Sequence, residues 1–309
     1  MTAAPDSVGF ADCLSKFVFE HAAIRGAVVS VDDACRAILA CHPYPPALGR
    51  ALAELLAASA LLASTLKFKG ALGVQLQGTG PVRLLVVECD AELNLRATAQ
   101  WTAAADALPA DASLATLAGD AAKSRLAITL DPRDGGPIYQ GIVALEADSI
   151  AALIQHYLTA SEQIDGRMLL ARAGTRVRGF LLQRMPGAAA VDDATWQRAS
   201  LQLDRMAPRQ LLAAAGVEEL LRTQFVDDDL RLFAPRGVRF RCRCSEEKVA
   251  RVLRMLGRAE VEDILVEQGR VGVTCEFCNR EYTYAAADAR ALFDAMATTR
   301  AEPHSGTAH

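Results

Sequence analysis

The sequence predicts an α+β protein: an N-terminal mixed α/β domain with a mainly antiparallel sheet, a helical linker, and a small cysteine-bearing C-terminal domain. Three observations carry that expectation. The chain has 309 residues, more than a single core comfortably fills. Strand-like apolar runs separated by glycine-containing turns fill much of the first 185 residues, whereas an apolar stripe at helical spacing follows Pro186. Four of the eight cysteines stand in two tight groups near the C-terminal end, in a segment with helix and strand signals of its own. The expected divisions are 1–186 for the α/β domain, 187–236 for a metastable helical linker, 237–300 for the C-terminal domain and 301–309 for a disordered tail.

Residues 17–31, FVFEHAAIRGAVVSV, are rich in β-branched and aromatic side chains and read as a strand. Asp32 and Asp33 are placed to cap a helix from Ala34, which Pro43, Pro45 and Pro46 should stop. Residues 47–67 read as a long Ala/Leu helix, apolar on nearly every side and so suited to a domain interior. Its most apolar part, LLAASALLASTL at 55–66, is too short and too rich in Ala, Ser and Thr to span a bilayer. Past Gly70, LGVQLQGTGPVRLLVVECD holds two strand-like runs around a GTGP hairpin signal. LNLRATAQW at 93–101 continues the meander, and residues 125–130 and 138–145 flank the DPRDGG turn as two more strands. A helix from Asp148 to about Thr159 and a strand at 176–185 complete the domain.

In the linker, residues 196–206 and PRQLLAAAGVEELLRTQF at 208–225 are helical patterns that stop at Asp227, Asp228 and Asp229. Two short helices are marginal alone, so their apolar faces must dock on something. Further on, Ser245 should cap a helix with Glu246 and Glu247 in its first turn, Val249, Val252, Leu253 and Leu256 on one face, and Gly257 as its stop. A second helix over 260–268 ends at Gly269, and strands at 271–274 and 281–284 flank CEFCNR.

A net charge of −4 gives no general attraction to nucleic acid or to an anionic membrane, so neither is expected as a partner. The N-terminus shows no basic segment followed by an apolar core, which points to a cytoplasmic, reducing compartment. Eight thiols in such a compartment argue for metal or redox chemistry rather than a disulfide framework.

Cys242 and Cys244 form a C-x-C pair and Cys275 and Cys278 a C-x-x-C pair, with thirty residues between them. Four thiolates have the count and softness for one tetrahedral zinc ion and would close its coordination sphere, leaving no open position for a substrate. So small a module would depend on that metal to fold. An inert structural cross-brace is one reading. A zinc-ribbon adaptor for nucleic acid or protein is another, although such ribbons carry two C-x-x-C pairs at closer spacing. Ten Lys and Arg against eight Asp and Glu over 236–284 make a poor phosphate footprint, despite the cluster Arg239, Arg241 and Arg243. A thiol–disulfide oxidoreductase using CEFC is a third reading. A redox switch is the fourth: thiolates beside Arg241 and Arg243 can be oxidised to sulfenic acid and captured by a close neighbour, which would strip the metal of its ligands and unfold the module.

Elsewhere the signals are weaker. Cys35 and Cys89 sit in apolar contexts and read as core, while Cys13 and Cys41 read as exposed and oxidisable. His42 adjoins Cys41, but neighbouring residues rarely face each other; His21 and His156 read as structural. Ser161 and Glu162 read as a helix end, and Gly78 and Gly80 as hairpin glycines with no dinucleotide site. No GxxxxGK phosphate loop is present.

The run FRCRCSEEKVARVLRMLGRAEVEDILVEQGRVGVTCEFCNREYTY resembles the C-terminal zinc module of the heat-shock protein 33 family, the redox-regulated chaperones. GTGPVRLLVVECD, YLTASEQI, GFLLQRMP and FVDDDLRLF extend the resemblance over about 17–284, with Asp165 standing where the family often has proline. The resemblance implies a non-enzymatic, ATP-independent holdase. Reduced, it would be inactive, with zinc on Cys242, Cys244, Cys275 and Cys278. Oxidised, it would form Cys242–Cys244 and Cys275–Cys278 disulfides, release zinc, and hold unfolding client proteins, as a homodimer.

Overall fold

The computed structural model describes residues 12–65, 70–186 and 192–299. The expected tail at 301–309, the end of the long helix at Lys67 and the alanine run after Gly187 lie outside them. The chain divides into two compact units, Met1–Arg241 and Cys242–His309. Both are α+β with mainly antiparallel pairing, as the sequence predicts.

Unit 1 begins with β1 (Cys13–Phe19), β2 (Ile24–Ser30), α1 (Asp32–Leu39), α2 (Pro46–Thr65), β3 (Ala71–Gln77), β4 (Val82–Asp90) and β5 (Asn94–Trp101). A 3-10 turn at Ala103–Ala107 leads to α3 (Leu114–Ala118), β6 (Arg125–Asp131), β7 (Tyr139–Ala144), α4 (Ile150–Glu162), β8 (Gly166–Ala173) and β9 (Arg176–Arg184). The connector follows: α5 (Asp192–Arg205), α6 (Pro208–Ala213), α7 (Val217–Gln224), then the short strands β10 (Leu230–Leu232), β11 (Arg236–Gly237) and β12 (Arg239–Phe240).

These strands form two six-stranded sheets, ordered β10-β1-β2-β9-β8 with β11 also on β1, and β12-β5-β4-β3-β6-β7. Between them runs α2, packed on β2, β8 and β9 on one side and β3, β4 and β5 on the other. It is long and apolar enough to cross a membrane, but 89% of its most apolar window is buried within the protein. Apolar residues all round are what a helix between two sheets requires.

The first sheet is apolar on both faces, and the alternation of side chains separates them. Leu14, Ala27, Val29, Val177 and Leu181 face the core around α2. Phe17, Phe19, Val28, Phe180 and Leu182 belong to a second core whose other half is Trp196, Leu203, Leu211, Leu220 and Phe225 from the connector. Phe225, 1% exposed, lies edge-on to Phe19 at 5.3 Å and to Phe180 at 6.1 Å between ring centroids. Edge-to-face rings at such distances add to plain area burial. Beneath α6, the buried Arg178 donates from Nη1 to Leu211 O (3.0 Å) and Ala214 O (2.9 Å), satisfying carbonyls at the helix end. The connector's apolar stripe therefore docks on the sheet.

Three local readings need correction. Residues 17–31 are two strands, because the chain reverses at Glu20–Ala23, where Ile24 N–H donates to Ala22 O at 2.7 Å. The N-terminus of α1 is capped from outside: Asp12 carboxylate oxygens accept from the N–H groups of Asp33 and Ala34, while Asp32 accepts from Val177 N–H. Cys13 is buried rather than exposed.

Unit 2 comprises α8 (Glu246–Leu256), α9 (Arg258–Gln268), β13 (Arg270–Thr274), β14 (Glu281–Ala285) and α10 (Ala286–Thr299). Its core is small: Val249, Ala289, Leu253, Val261, Leu265, Val271 and Tyr282. A two-pronged Arg290–Glu262 ion pair ties α10 to α9.

Truncating Phe225 to Ala is expected to destabilise unit 1 by about 3–5 kcal/mol, the usual cost of emptying a buried aromatic site. Urea denaturation followed by near-UV circular dichroism measures it. A loss below about 1 kcal/mol, the scale of an ordinary substitution, would show that the connector is held by other contacts.

Candidate metal centre

Unit 2 brings its four cysteines together from two places in its chain. Cys242 and Cys244 lie in the extended segment just before α8, and the Ser245 hydroxyl caps that helix by accepting from Lys248 N–H at 3.3 Å. Cys275 and Cys278 lie in the β13–β14 turn, closed by Cys275 N–H to Arg280 O (2.9 Å) and Asn279 N–H to Cys275 O (2.8 Å). Asn279 turns the chain with φ 57°, a left-handed conformation that Asn tolerates better than most residues.

The four sulfurs all lie within 4.8 Å of one another, and all four residues are half-buried. Two contacts run between the motifs: Cys242 to Cys275 at 3.6 Å and Cys244 to Cys278 at 3.4 Å. A zinc–sulfur bond of about 2.3 Å in tetrahedral geometry sets sulfurs about 3.8 Å apart, whereas a disulfide bond is about 2.05 Å. The spacing and the soft donor set therefore fit one shared zinc ion.

Backbone N–H groups and a tyrosine tune the sulfurs. At Cys242 burial raises the thiol, opposed by the N–H of Cys244. At Cys278 burial again dominates and raises the thiol, opposed by the N–H of Arg280. Burial pushes Cys244 up as well, yet the Tyr282 hydroxyl and the neighbouring thiols together outweigh it and bring the group down to about 7. Tyr282 is in turn pushed up to about 12, chiefly by its contact with Cys244. The leading favourable contacts are thus backbone and tyrosine groups rather than the flanking guanidinium groups expected from the sequence. Tyr282 and Asn279 were not singled out from the sequence; alternation along β14, which pairs Tyr282 with Val273, is the signal that marks Tyr282 as inward-facing.

The remaining cysteines and histidines form no comparable cluster among the described residues. Burial raises the thiols of Cys13, Cys35 and Cys89, Cys35 to about 11. Cys41 is half-buried and donates to Ala37 O, and the His42 ring packs edge-on to Tyr44. His21 faces Asp229 at 3.3 Å in an exposed turn, and His156 is exposed on α4. Ser161 and Glu162 end α4, where Glu162 accepts from the Tyr157 hydroxyl at 2.6 Å. Gly78 and Gly80 form the β3–β4 turn and pack against Ala118 and Gly119, so closely that a Cβ on Gly80 would come within 2.6 Å of Gly119 N.

Comparison with known proteins gives a consistent result. The model of the family described as Hsp33 protein matches residues 12–285. A 33 kDa chaperonin of Methylobacillus flagellatus is 45% identical over 284 residues, covering 91% of this chain and 94% of its own. Those of Chromobacterium violaceum and Neisseria meningitidis are 40% and 37% identical, covering 92% and 93% of this chain and 94% and 93% of their own. The crystal structure of a 33 kDa chaperonin from Thermotoga maritima, 19% identical, has the same fold, with a TM-score of 0.79 over 93% of this chain and all of that one.

Proposed function

The chain belongs to the Hsp33 family of chaperones, and from that premise we propose that it is a redox-controlled, ATP-independent holdase. Convergence of four thiol sulfurs, in a unit with only a small apolar core, carries this reading. Cys242, Cys244, Cys275 and Cys278 would hold one zinc ion as thiolates. When bound, the ion supplies the cross-link that a core of this size needs in order to stay folded.

Oxidation then acts on the cysteines. A thiolate attacks peroxide and becomes a sulfenic acid, and the neighbouring thiol displaces water from it; each pair gives up two electrons and two protons, and peroxide becomes two waters. We assign the pairs as Cys242–Cys244 and Cys275–Cys278. Four sulfurs in disulfides no longer carry the negative charge that holds a divalent cation, so unit 2 loses its cross-link. The segment leading out of unit 1, residues 230–241, loses its folded anchor, and the linker proposed over 187–236, docked from α5 onward, becomes the metastable element. Phe17, Phe19 and Phe180, now covered by Phe225 and its neighbours, are the kind of surface that captures unfolding chains.

The names of the relatives support a chaperone rather than an enzyme. Unfolded client proteins in the cytoplasm are the proposed partners, with a homodimer as the oxidised form and no role for ATP, nucleic acid or membrane. The proposed architecture keeps three parts: 1–186, the linker 187–236, and a zinc-binding domain over 237–300.

Two experiments test this. Treating the zinc-loaded protein with peroxide at raised temperature is expected to release about one zinc ion per four thiols lost, the stoichiometry of a four-cysteine site, and to produce suppression of client aggregation. Non-reducing peptide mapping should find the two pairs within the motifs. Zinc retained under oxidation, or released without gain of anti-aggregation activity, would sink the proposal; disulfides between the motifs would overturn only the pairing. Separately, Cys275→Ser is expected to bind zinc at least about tenfold more weakly, as loss of an inner ligand should exceed the 10–100-fold cost of an outer one, and to be partly active when reduced. Tight zinc binding with full redox control in that variant would remove Cys275 from the ligand set.

A further inference from the structure

A cavity of about 140 Å³ opens in unit 1 where the C-terminal end of α2 meets β1, β2 and β9. Its polar lining consists of Lys16, Arg25, Gln183, Ser64 and Thr65. Lys16 is half-buried, donates to Ser64 O, and has the cations Arg236 and Arg25 as its charged neighbours. Arg25, opposite Gln183 in the β2–β9 register, donates from Nε to Gln183 Oε1 at 3.0 Å. That bond orients the Gln183 amide, because an Nε–H must meet its oxygen. Gln183 Nε2 is then left over: the residue is 1% exposed, it lines the cavity, and this nitrogen has no hydrogen-bond partner.

An ammonium, a guanidinium and an unsatisfied amide, with no carboxylate acting on either cation among the described residues, form an arrangement that lacks its acceptor. Apolar walls are Leu181 beneath and Phe233, which lies beside β1 with its N–H donating to Lys16 O at 2.9 Å. A bare inorganic anion would leave those walls unused. A ligand satisfying both halves carries an oxyanion at one end and a short hydrocarbon at the other. The volume is below the roughly 300–1,000 Å³ of a drug-sized site, which restricts the tail to a few carbons.

We infer that this cavity binds a short-chain carboxylate, its carboxyl group on Lys16, Arg25 and the Gln183 amide and its tail on Leu181 and Phe233. Charge-assisted bonds to a planar guanidinium set the head group, and the apolar walls set the tail. This site lies in unit 1, uses none of Cys242, Cys244, Cys275 and Cys278, and does not depend on the redox reading.

Titration calorimetry with hexanoate on the reduced, zinc-loaded full chain tests the assignment. Saturable binding is expected, with hexanol and inorganic phosphate each weaker by at least about tenfold, a single good interaction's worth. Arg25→Met is expected to lower hexanoate affinity by about tenfold or more on the same ground. Phe233→Ala removes a wall that is 44% exposed, so it should weaken hexanoate binding while leaving circular dichroism and zinc content unchanged. The inference fails if hexanoate does not saturate the wild-type protein. It fails equally if hexanol or phosphate binds as tightly as hexanoate, or if both variants bind it as the wild type does.

Discussion

Phe225 reaches back from the end of the connector to close an aromatic cluster on β1 and β9, and much of unit 1 follows from that contact. A sheet covered on one face by α2 still presents Phe17, Phe19, Phe180 and Leu182 on the other. Those side chains are made for an interior, and among the described residues it is the connector that completes the core they belong to. Unit 1 is therefore complete only while a later part of its own chain stays down, held by apolar groups that run from Trp196 on α5 to Phe225 after α7. Arg178 adds direction, because two carbonyls at the end of α6 find a buried donor only in the docked position. A surface kept apolar but covered by a removable element is what a conditional binder of unfolded chains requires.

At the other end, the proposed function gives four sulfurs a few ångströms apart two arrangements, a shared cation or two disulfides. Contacts join the two motifs, as a shared cation would, whereas bonds within each motif would let the motifs part. The small core of unit 2 magnifies that choice. Seven buried side chains leave little to hold α8, α9 and the β-turn in place once the sulfurs cease to be common ligands. Tyr282 belongs both to that core and to the sulfur site, so the packing of the unit and the ionisation of Cys244 respond to the same residue.

Much of this was legible in the sequence, and the exceptions share a cause. The helix between the sheets, the GTGP hairpin, the Ser245 cap and the cysteine set are local signals, and the structure has each of them where those signals lie. The reversal at Glu20–Ala23 lacks glycine and proline, so two strands read as one. β8, GRMLLARA, is built largely of good helix formers and is a strand because β9 lies beside it. The role of helix α10 appears only when Ala289, Leu292 and Phe293 meet the rest of unit 2. β10, β11 and β12 are two or three residues each and have no period to detect; their partners are more than a hundred residues away. At the metal centre the donors were visible by type, but Asn279 and Tyr282 act through backbone geometry and packing, which a spacing rule does not encode.

Those last short strands make one more point about the chain between Leu230 and Phe240. It pairs with β1 at the rim of one sheet and, in parallel, with β5 at the rim of the other. Without it, both rims would present rows of open N–H and C=O groups to any extended polypeptide nearby. The stretch that leads to the cysteines is thus a hem sewn along two open edges. Pulling it free would offer unfolding chains a backbone ladder to join as well as an oily surface to rest on.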